Sequence, residues 1–410
     1  MRALIRPSIV LIGIVLCLAA VPVTAQTADD LFSIDTIHDL RLFINSRDLQ
    51  QLRQRFDENI YYAADLQWRN VGVRNVAVRS RGFGSRNSTK LGLRVDMNRF
   101  SSNQRFVGLS SLVLDNVWHD PSLMRERLGM AMFKRMGQPA SRVAFARLYI
   151  NSVYQGLYAI VEPVDAQFVL RTLGSSDGYL FQYKWTRYYF GEYLGDDLAP
   201  YKEMFEAETH RLAADTILYS PIRDLFREVN QAYDAQWREA VERYLDLEQL
   251  VSYVAVETFV SESDGIAGVW GMANFFLHRP AGSTRHRVLP WDRDRAFEQI
   301  DLPIFARTEQ NVVLQRALAF PDLRAKYLDV LENCARAAAE DGWLEQEVDT
   351  VTRLITAAAH EDVRKQFSSE EFDAQVLFLR EFAARRPAFV ASEVAKARAA
   401  AKLVPRHRVQ

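Results

Sequence analysis

The chain has 410 residues, 49% hydrophobic and 25% charged, enough to bury a substantial core in one large domain or in two lobes. Its formal charge of −1 removes the electrostatic basis for a nucleic-acid partner. Its two cysteines are Cys17, inside the apolar start, and Cys334, so an intrachain disulfide is excluded once that start is lost.

Residues 1–25 read as a secretory signal peptide. Arg2 and Arg6 precede or flank the apolar run "IVLIGIVLCLAAV", and Val23 and Ala25 take the small-residue positions of a cleavage site. An uncleaved anchor is the alternative, but the run is short for a spanning helix. Losing Arg2 and Arg6 lowers Lys+Arg from 51 to 49 against 52 Asp+Glu, a formal charge of −3. After signal removal we expect no transmembrane segment and an exported protein: periplasmic, secreted or at the cell surface.

Residues 26–36 are expected to be a loose leader. From Val71, "VGVRNVAVRSRG" alternates as a strand, "GFGSRNST" interrupts, and "KLGLRVDM" resumes. In that second strand Leu91, Leu93, Val95 and Met97 share one face, and Lys90, Arg94 and Asp96 the other. The connection bearing Gly82 and Gly84 is either an ordinary hairpin loop or a flap over phosphates. A helix follows, with Asp120 and Pro121 at its start and Gly137 and Pro139 at its stop. "RVAFARLYI", Asn151-Ser152 and "VYQGLYAIVEPVD" then form a hairpin.

A mostly helical second part begins near Asp165. Its clearest helix is "DLEQLVSYVAVETFVSE", with Asp246 as cap and Gln249 three residues on. "SESDG" ends that helix. In "NFFLHRPAGSTRHRVLPWDRDRAF", Asn274 opens one strand, and Asp292 and Asp294 follow the next. Turn chemistry accounts for such residues; so do hard oxygen ligands gathered for a divalent cation. Residues 313–401 are helix-rich and carry no chemical motif. "YKWTRYYFGEY", residues 183–193, reads as core or lid before it reads as a peptide or glycan platform. His119 and His278 lack metal-ligand spacing and read as structural.

A core helix, a loop with Asp264, then Asn274, a hairpin and Asp292 follow the order of parts in protein kinases. The first part supplies a Gly-containing loop, a strand lysine (Lys90) and a helix glutamate (Glu126), a pair that in kinases orients phosphates. Glu162 falls where the lobes would join and adenine would pack; a linker carboxylate is the plainer reading. Lys90 on a solvated strand face and Glu126 beside Arg125 and Arg127 have plainer readings too. None of the literal kinase triplets is present.

The segments "LYINSVYQGLYAIVEPVD", "PSLMRERLGMAMFKRMGQPASR", "ESDG…NFFLHR" and "LPWDRDRAF" themselves resemble the CotH (spore coat protein H) kinase family, a group of secreted or coat-associated atypical protein kinases. The resemblance runs from about Arg79 to Phe297. It implies ATP with Mg²⁺ or Mn²⁺, and Ser/Thr hydroxyls of a protein substrate as acceptors. It implies Asp264 as the catalytic-loop carboxylate, Asn274 and Asp292 as metal ligands, and Lys90, downstream of Arg81-Gly82, as a phosphate contact. The chain departs from the family at "GFGSRNSTK", where Gly-Asn-Ser is frequent, and at Arg293-Asp294, which leaves Asp292 and Asp294 as alternative ligands.

The expected fold is therefore α+β: a two-lobed atypical protein-kinase-like fold, β-rich over 26–162 and helical over 163–312, with a helical extension over 313–410. The expected function is an exported kinase acting on envelope, coat or secreted proteins. The alternative is a non-catalytic surface or envelope protein that keeps the fold for binding or assembly. A metal-dependent hydrolase would lack the usual histidine ligands.

Overall fold

The computed structural model describes residues 26–403, so the expected signal peptide lies outside the described part. Helix α1 (Ala28–Leu31) is closed by a reciprocal Thr27–Asp30 capping box. Leu31 and Phe32 are buried, so residues 26–36 are anchored by an apolar pair and are not a loose leader. Strand β1 (Ile37–Ile44) alternates buried and exposed residues, and α2 (Ser46–Gln54) follows an Asn45 cap. Then come β2 (Tyr62–Trp68), β3 (Val71–Ser80), β4 (Leu93–Asp96), β5 (Ser111–Asp115), α3 (Arg125–Arg135), β6 (Val143–Ile150) and β7 (Val153–Val161).

These seven strands close into a barrel in the order β1-β2-β3-β4-β5-β7-β6. Closure comes from β1 lying parallel to β6, with Ile37 opposite Phe145; the other neighbours are antiparallel. Closing the sheet removes its open edges, and Leu40, Trp68, Leu93, Leu112 and Leu148 fill one apolar core. The hairpin at Asn151-Ser152 forms as expected, both residues at positive φ (50° and 65°). Helix α3 starts later than expected. The Asp120 carboxylate accepts from Ser122 N at 2.8 Å and Arg125 N at 2.7 Å, fixing a turn ahead of the helix.

The second part runs through α4 (Ala166–Leu173), capped by Asp165, β8 (Tyr179–Tyr183), α5 (Ala199–Met204), β9 (Phe205–Ala207), α6 (Asp215–Gln231), α7 (Asp234–Glu242) and α8 (Leu247–Phe259). Helix α8 is buried without a break from Leu250 to Phe259, with Asp246 accepting from Gln249 N at 3.2 Å. Strands β10 (Phe275–Arg279) and β11 (Arg287–Pro290) complete a four-stranded antiparallel sheet, β11-β10-β8-β9.

Helices α9 (Val312–Ala317), α10 (Pro321–Ala339), α11 (Trp343–Glu361) and α12 (Ser369–Leu403) close the chain. They do more than support the second part. Helix α10 packs on α8 while α11 reaches β7 of the barrel. Arg386 of α12, wholly buried, donates to the carbonyls of Thr258, Phe259, Ile300 and Leu302. Among the described residues, no helix is long and apolar enough to cross a membrane.

Candidate active site

The hairpin register pairs Phe275 with Pro290, which leaves Asn274 and Trp291 at the same end of the sheet and Asp292 one residue on. Asn274 and Asp292 both take left-handed backbone, φ 53° and 54°, a conformation that Asn and Asp tolerate better than most side chains. The loop after α8 brings Asp264 to the same place. Asn274 Nδ2 donates to Asp264 Oδ2 at 2.9 Å and to Asp264 O at 3.1 Å.

These residues and Asp294 line a cleft of about 720 Å³ between the barrel and the smaller sheet. Gly82, Phe83, Gly84 and Ser85 line its barrel side. Gly82 takes a positive φ of 110°, which favours glycine, and a Cβ there would stand 2.3 Å from Ser85 Oγ. Val113, Val164 and Phe276 supply apolar wall. A larger hollow of about 1060 Å³ flanks α3 beside Lys134 and Trp343, but none of the site carboxylates lines it. Its arginines are largely committed, Arg142 and Arg171 to Glu162 and Arg127 to Glu347. Chemistry, and not size, makes the smaller cleft the candidate site.

Burial, with the Asp294 charge second, pushes the Asp264 carboxyl up to about 6. Burial and the charges of Asp294 and Asp115 push Asp292 well above the ordinary carboxylate range. Carboxylates in this state gain from a cation. The donors are also of the right kind, since carboxylate and carboxamide oxygens suit a hard divalent ion. Among the described residues there is no tight group of three His, Cys, Asp or Glu side chains.

Three expected site residues lie elsewhere. Lys90 precedes β4 instead of standing on its polar face, and its Nζ is wholly buried against Asp362 Oδ2 at 2.7 Å. The charge expected at phosphate is consumed in an ion pair with the C-terminal helical region. Glu126 is not Lys90's partner: it is buried on α3 and accepts from Arg293 N. Burial pushes its carboxyl up to about 8. Glu162 stays out of the cleft because both its oxygens are taken by Arg142 and Arg171; its neighbours Pro163 and Val164 line the wall instead.

Other residues enter that the sequence reading set aside. His119 lines the cleft with Nδ1 at 3.5 Å from Asp294 Oδ2. Arg81 lines it too, held by Asp115 at 2.5 Å, its guanidinium over the Trp291 ring. Of the aromatic stretch, Tyr183 and Tyr189 are buried, whereas Trp185 and Tyr188 stand at the mouth, with the Trp185 ring 5.8 Å from Phe83 across it. Arg293, between the two aspartates, is wholly buried beneath the site. An arginine enclosed by acids in "WDRDR" was the one available signal for it.

The model of the family described as CotH kinase protein matches residues 78–390. The inner spore coat protein H of Bacillus subtilis (strain 168) is 21% identical over 366 residues, covering 85% of this chain and 95% of that protein. Among solved structures, the Helicobacter pylori proinflammatory kinase CtkA covers 75% of this chain and 95% of its own, at 10% identity and a TM-score of 0.31. HipA, in the Shewanella oneidensis MR-1 toxin–antitoxin complex with HipB and operator DNA, is matched at 12% identity and a TM-score of 0.31, over 87% of this chain and 72% of that one. With the family model spanning well over half of its length, this chain belongs to the CotH kinase family.

Proposed function

We propose that the chain is an exported atypical protein kinase with two lobes, the barrel and the helical part, that binds ATP in the cleft between them. The observation that carries this reading is the convergence of Asp264, Asn274 and Asp292 under the Gly82–Ser85 flap. Val113, Val164 and Phe276 offer an apolar slot for adenine, and Asn274 and Asp292 would hold Mg²⁺ against the phosphates. Bound there, the ion would neutralise charge on the transferring phosphoryl group. In this reading Asp264 orients an incoming Ser or Thr hydroxyl and takes its proton, supported by the bond that its carboxylate accepts from Asn274 Nδ2. Arg81 and Arg295, both in the cleft wall, replace the withdrawn Lys90 as cations near the phosphates.

The leader, and the coat assignment of the Bacillus relative, support acceptors among envelope, coat or secreted proteins. A second reading has its own support. The Lys90–Glu126 pair is absent, with each residue committed elsewhere, as suits a protein that keeps the fold for binding or assembly. Purified protein incubated with labelled ATP and Mg²⁺ or Mn²⁺ decides between them. Phosphate transfer, to itself or to added protein, is expected to fall by more than about a hundredfold in Asp264→Asn and in Asp292→Asn, and by less in Asp294→Asn. Full activity in folded Asp264→Asn and Asp292→Asn removes the mechanism, and saturable ATP binding without transfer establishes the second reading.

A further inference from the structure

We infer that Arg293 is the positioning residue of this site: without reaching nucleotide or acceptor, it sets where Asp264, Asn274 and Asp292 stand. The inference rests on the kinase reading only for what those three residues hold.

Arg293 has 0% exposure. Its Nη1 donates to Glu257 Oε1 at 2.6 Å; its Nε and Nη2 donate to Trp291 O at 3.0 and 2.6 Å; Nη2 also donates to Asn274 O. Glu262 Oε2 lies 3.9 Å from Nε. The two glutamates then hold the Asp264 loop: Glu262 Oε1 accepts from Asp264 N at 2.9 Å, and Glu257 Oε2 from Ile266 N at 3.0 Å. Each site residue is thus tied to one guanidinium. Asp264 is tied through Glu262 and Glu257, Asn274 through its own carbonyl, and Asp292 through the Trp291 carbonyl before it. The amide after Asp292, Arg293 N, donates to Glu126 of α3, a backbone bond separate from the guanidinium.

The chemistry requires arginine. The acceptors lie in several directions around one planar fork, which an ammonium cannot span. The bonded peptide groups also flank the two left-handed residues, Asn274 and Asp292, and such a backbone persists only where its surroundings over-determine it. Packing leaves no slack. A Cβ on Gly129 of α3 would stand 2.8 Å from Arg293 Cβ, and one on Gly265 would stand 2.5 Å from Glu257 Oε1. The Arg293 guanidinium therefore holds the two loops that carry the acids, while its backbone amide reaches Glu126 of α3.

The test compares wild type with Arg293→Lys in the full chain. Calorimetry measures Mn²⁺ affinity and, with EDTA present, ATP affinity; labelled ATP measures turnover. Arg293→Lys is expected to bind Mn²⁺ at least about tenfold more weakly and to turn over about a hundredfold more slowly, with metal-free ATP affinity unchanged, as displaced ligands imply. A purely structural role would lower the thermal midpoint and leave Mn²⁺ affinity of the folded protein alone. Folded Arg293→Lys with wild-type Mn²⁺ affinity overturns the inference. If that variant does not fold, Gly129→Ala replaces it. Alanine raises helix propensity, so weaker Mn²⁺ binding there reports displacement of Arg293, and wild-type binding overturns the inference. A wild type that binds Mn²⁺ but transfers no phosphate refutes the kinase reading and leaves this comparison standing. One that binds no Mn²⁺, either alone or with a non-hydrolysable ATP analogue present, overturns both.

Discussion

Replacing Lys90 by alanine separates a structural lysine from a nucleotide-binding one. Its Nζ and Asp362 Oδ2 meet at 2.7 Å with both side chains at 0% exposure. Asp362 accepts further from Leu157 N at 3.0 Å and Arg364 N at 2.9 Å. It also fills the space beside Gly156, where a Cβ would stand 2.4 Å from Asp362 Oδ1. Burial pulls the lysine below its ordinary pKa and Asp362 opposes the shift, so the pair as a whole adds little over apolar groups of its volume. Losing one partner is different: an uncompensated buried charge costs about 3–5 kcal/mol. Two amide donors remain on Asp362, which places Lys90→Ala at the lower end, about 3 kcal/mol. Lys90→Met with Asp362→Asn removes both charges and keeps an acceptor for Leu157 N, so at least half the loss should return. Urea midpoints measure the stability, and calorimetry at a temperature where the variant is folded measures ATP affinity. ATP affinity should stay within about twofold, well under the tenfold that 1.4 kcal/mol represents. A Lys90→Ala protein as stable as wild type, or one that is folded and binds ATP tenfold more weakly, refutes this reasoning and returns Lys90 to the cleft.

Arg386→Met should destabilise by about 3 kcal/mol or more, since four buried carbonyls lose a charged donor; urea unfolding reads the loss, and a change under about 0.5 kcal/mol would show that α12 is not anchored there. His278 and His286 are buried, which pushes them down to about 4 and about 3. A histidine that folds into its neutral form stabilises fully above its unfolded value near 6.5, and loses that contribution as pH falls from there towards the folded value. At pH 5 each should therefore cost about 2 kcal/mol relative to pH 7.5, and His286→Gln should flatten that limb in a pH series of unfolding midpoints. Glu262 works in the opposite sense: burial pushes it up to about 8, so stability is lost as pH rises from about 4.5 to about 8, and Glu262→Gln should remove that slope. An identical pH series in each variant would contradict these assignments.

The parts of this molecule that the sequence made legible are those whose chemistry is local. The Asp246 cap, the Asn151-Ser152 turn and the hairpin that returns Asp292 to Asn274 are each written within two dozen residues, and each forms. What was missed depends on partners far along the chain. Strand β1 closes the barrel against β6, more than a hundred residues away, and its alternation alone does not name that partner. Lys90 makes the point most sharply. A lysine after an Arg-Gly turn reads as a phosphate contact, and only Asp362, 272 residues on, turns it inward. The same event explains why residues 313–401 looked mute. Their work is done by one aspartate buried beside Gly156 and one arginine buried under α8, single side chains that no periodicity marks. With Lys90 committed to Asp362, Glu126 of α3 meets the acid-bearing loop instead at the Arg293 backbone amide. Arg293 is the buried cation that touches the glutamates of α8 and its following loop, the Asn274 carbonyl and, through its amide, Glu126. In this chain, then, the aspartates in "WDRDR" and the arginine between them form one device: the acids face the cleft, and the arginine behind them holds the Trp291 and Asn274 carbonyls beside which Asp292 and Asn274 are set.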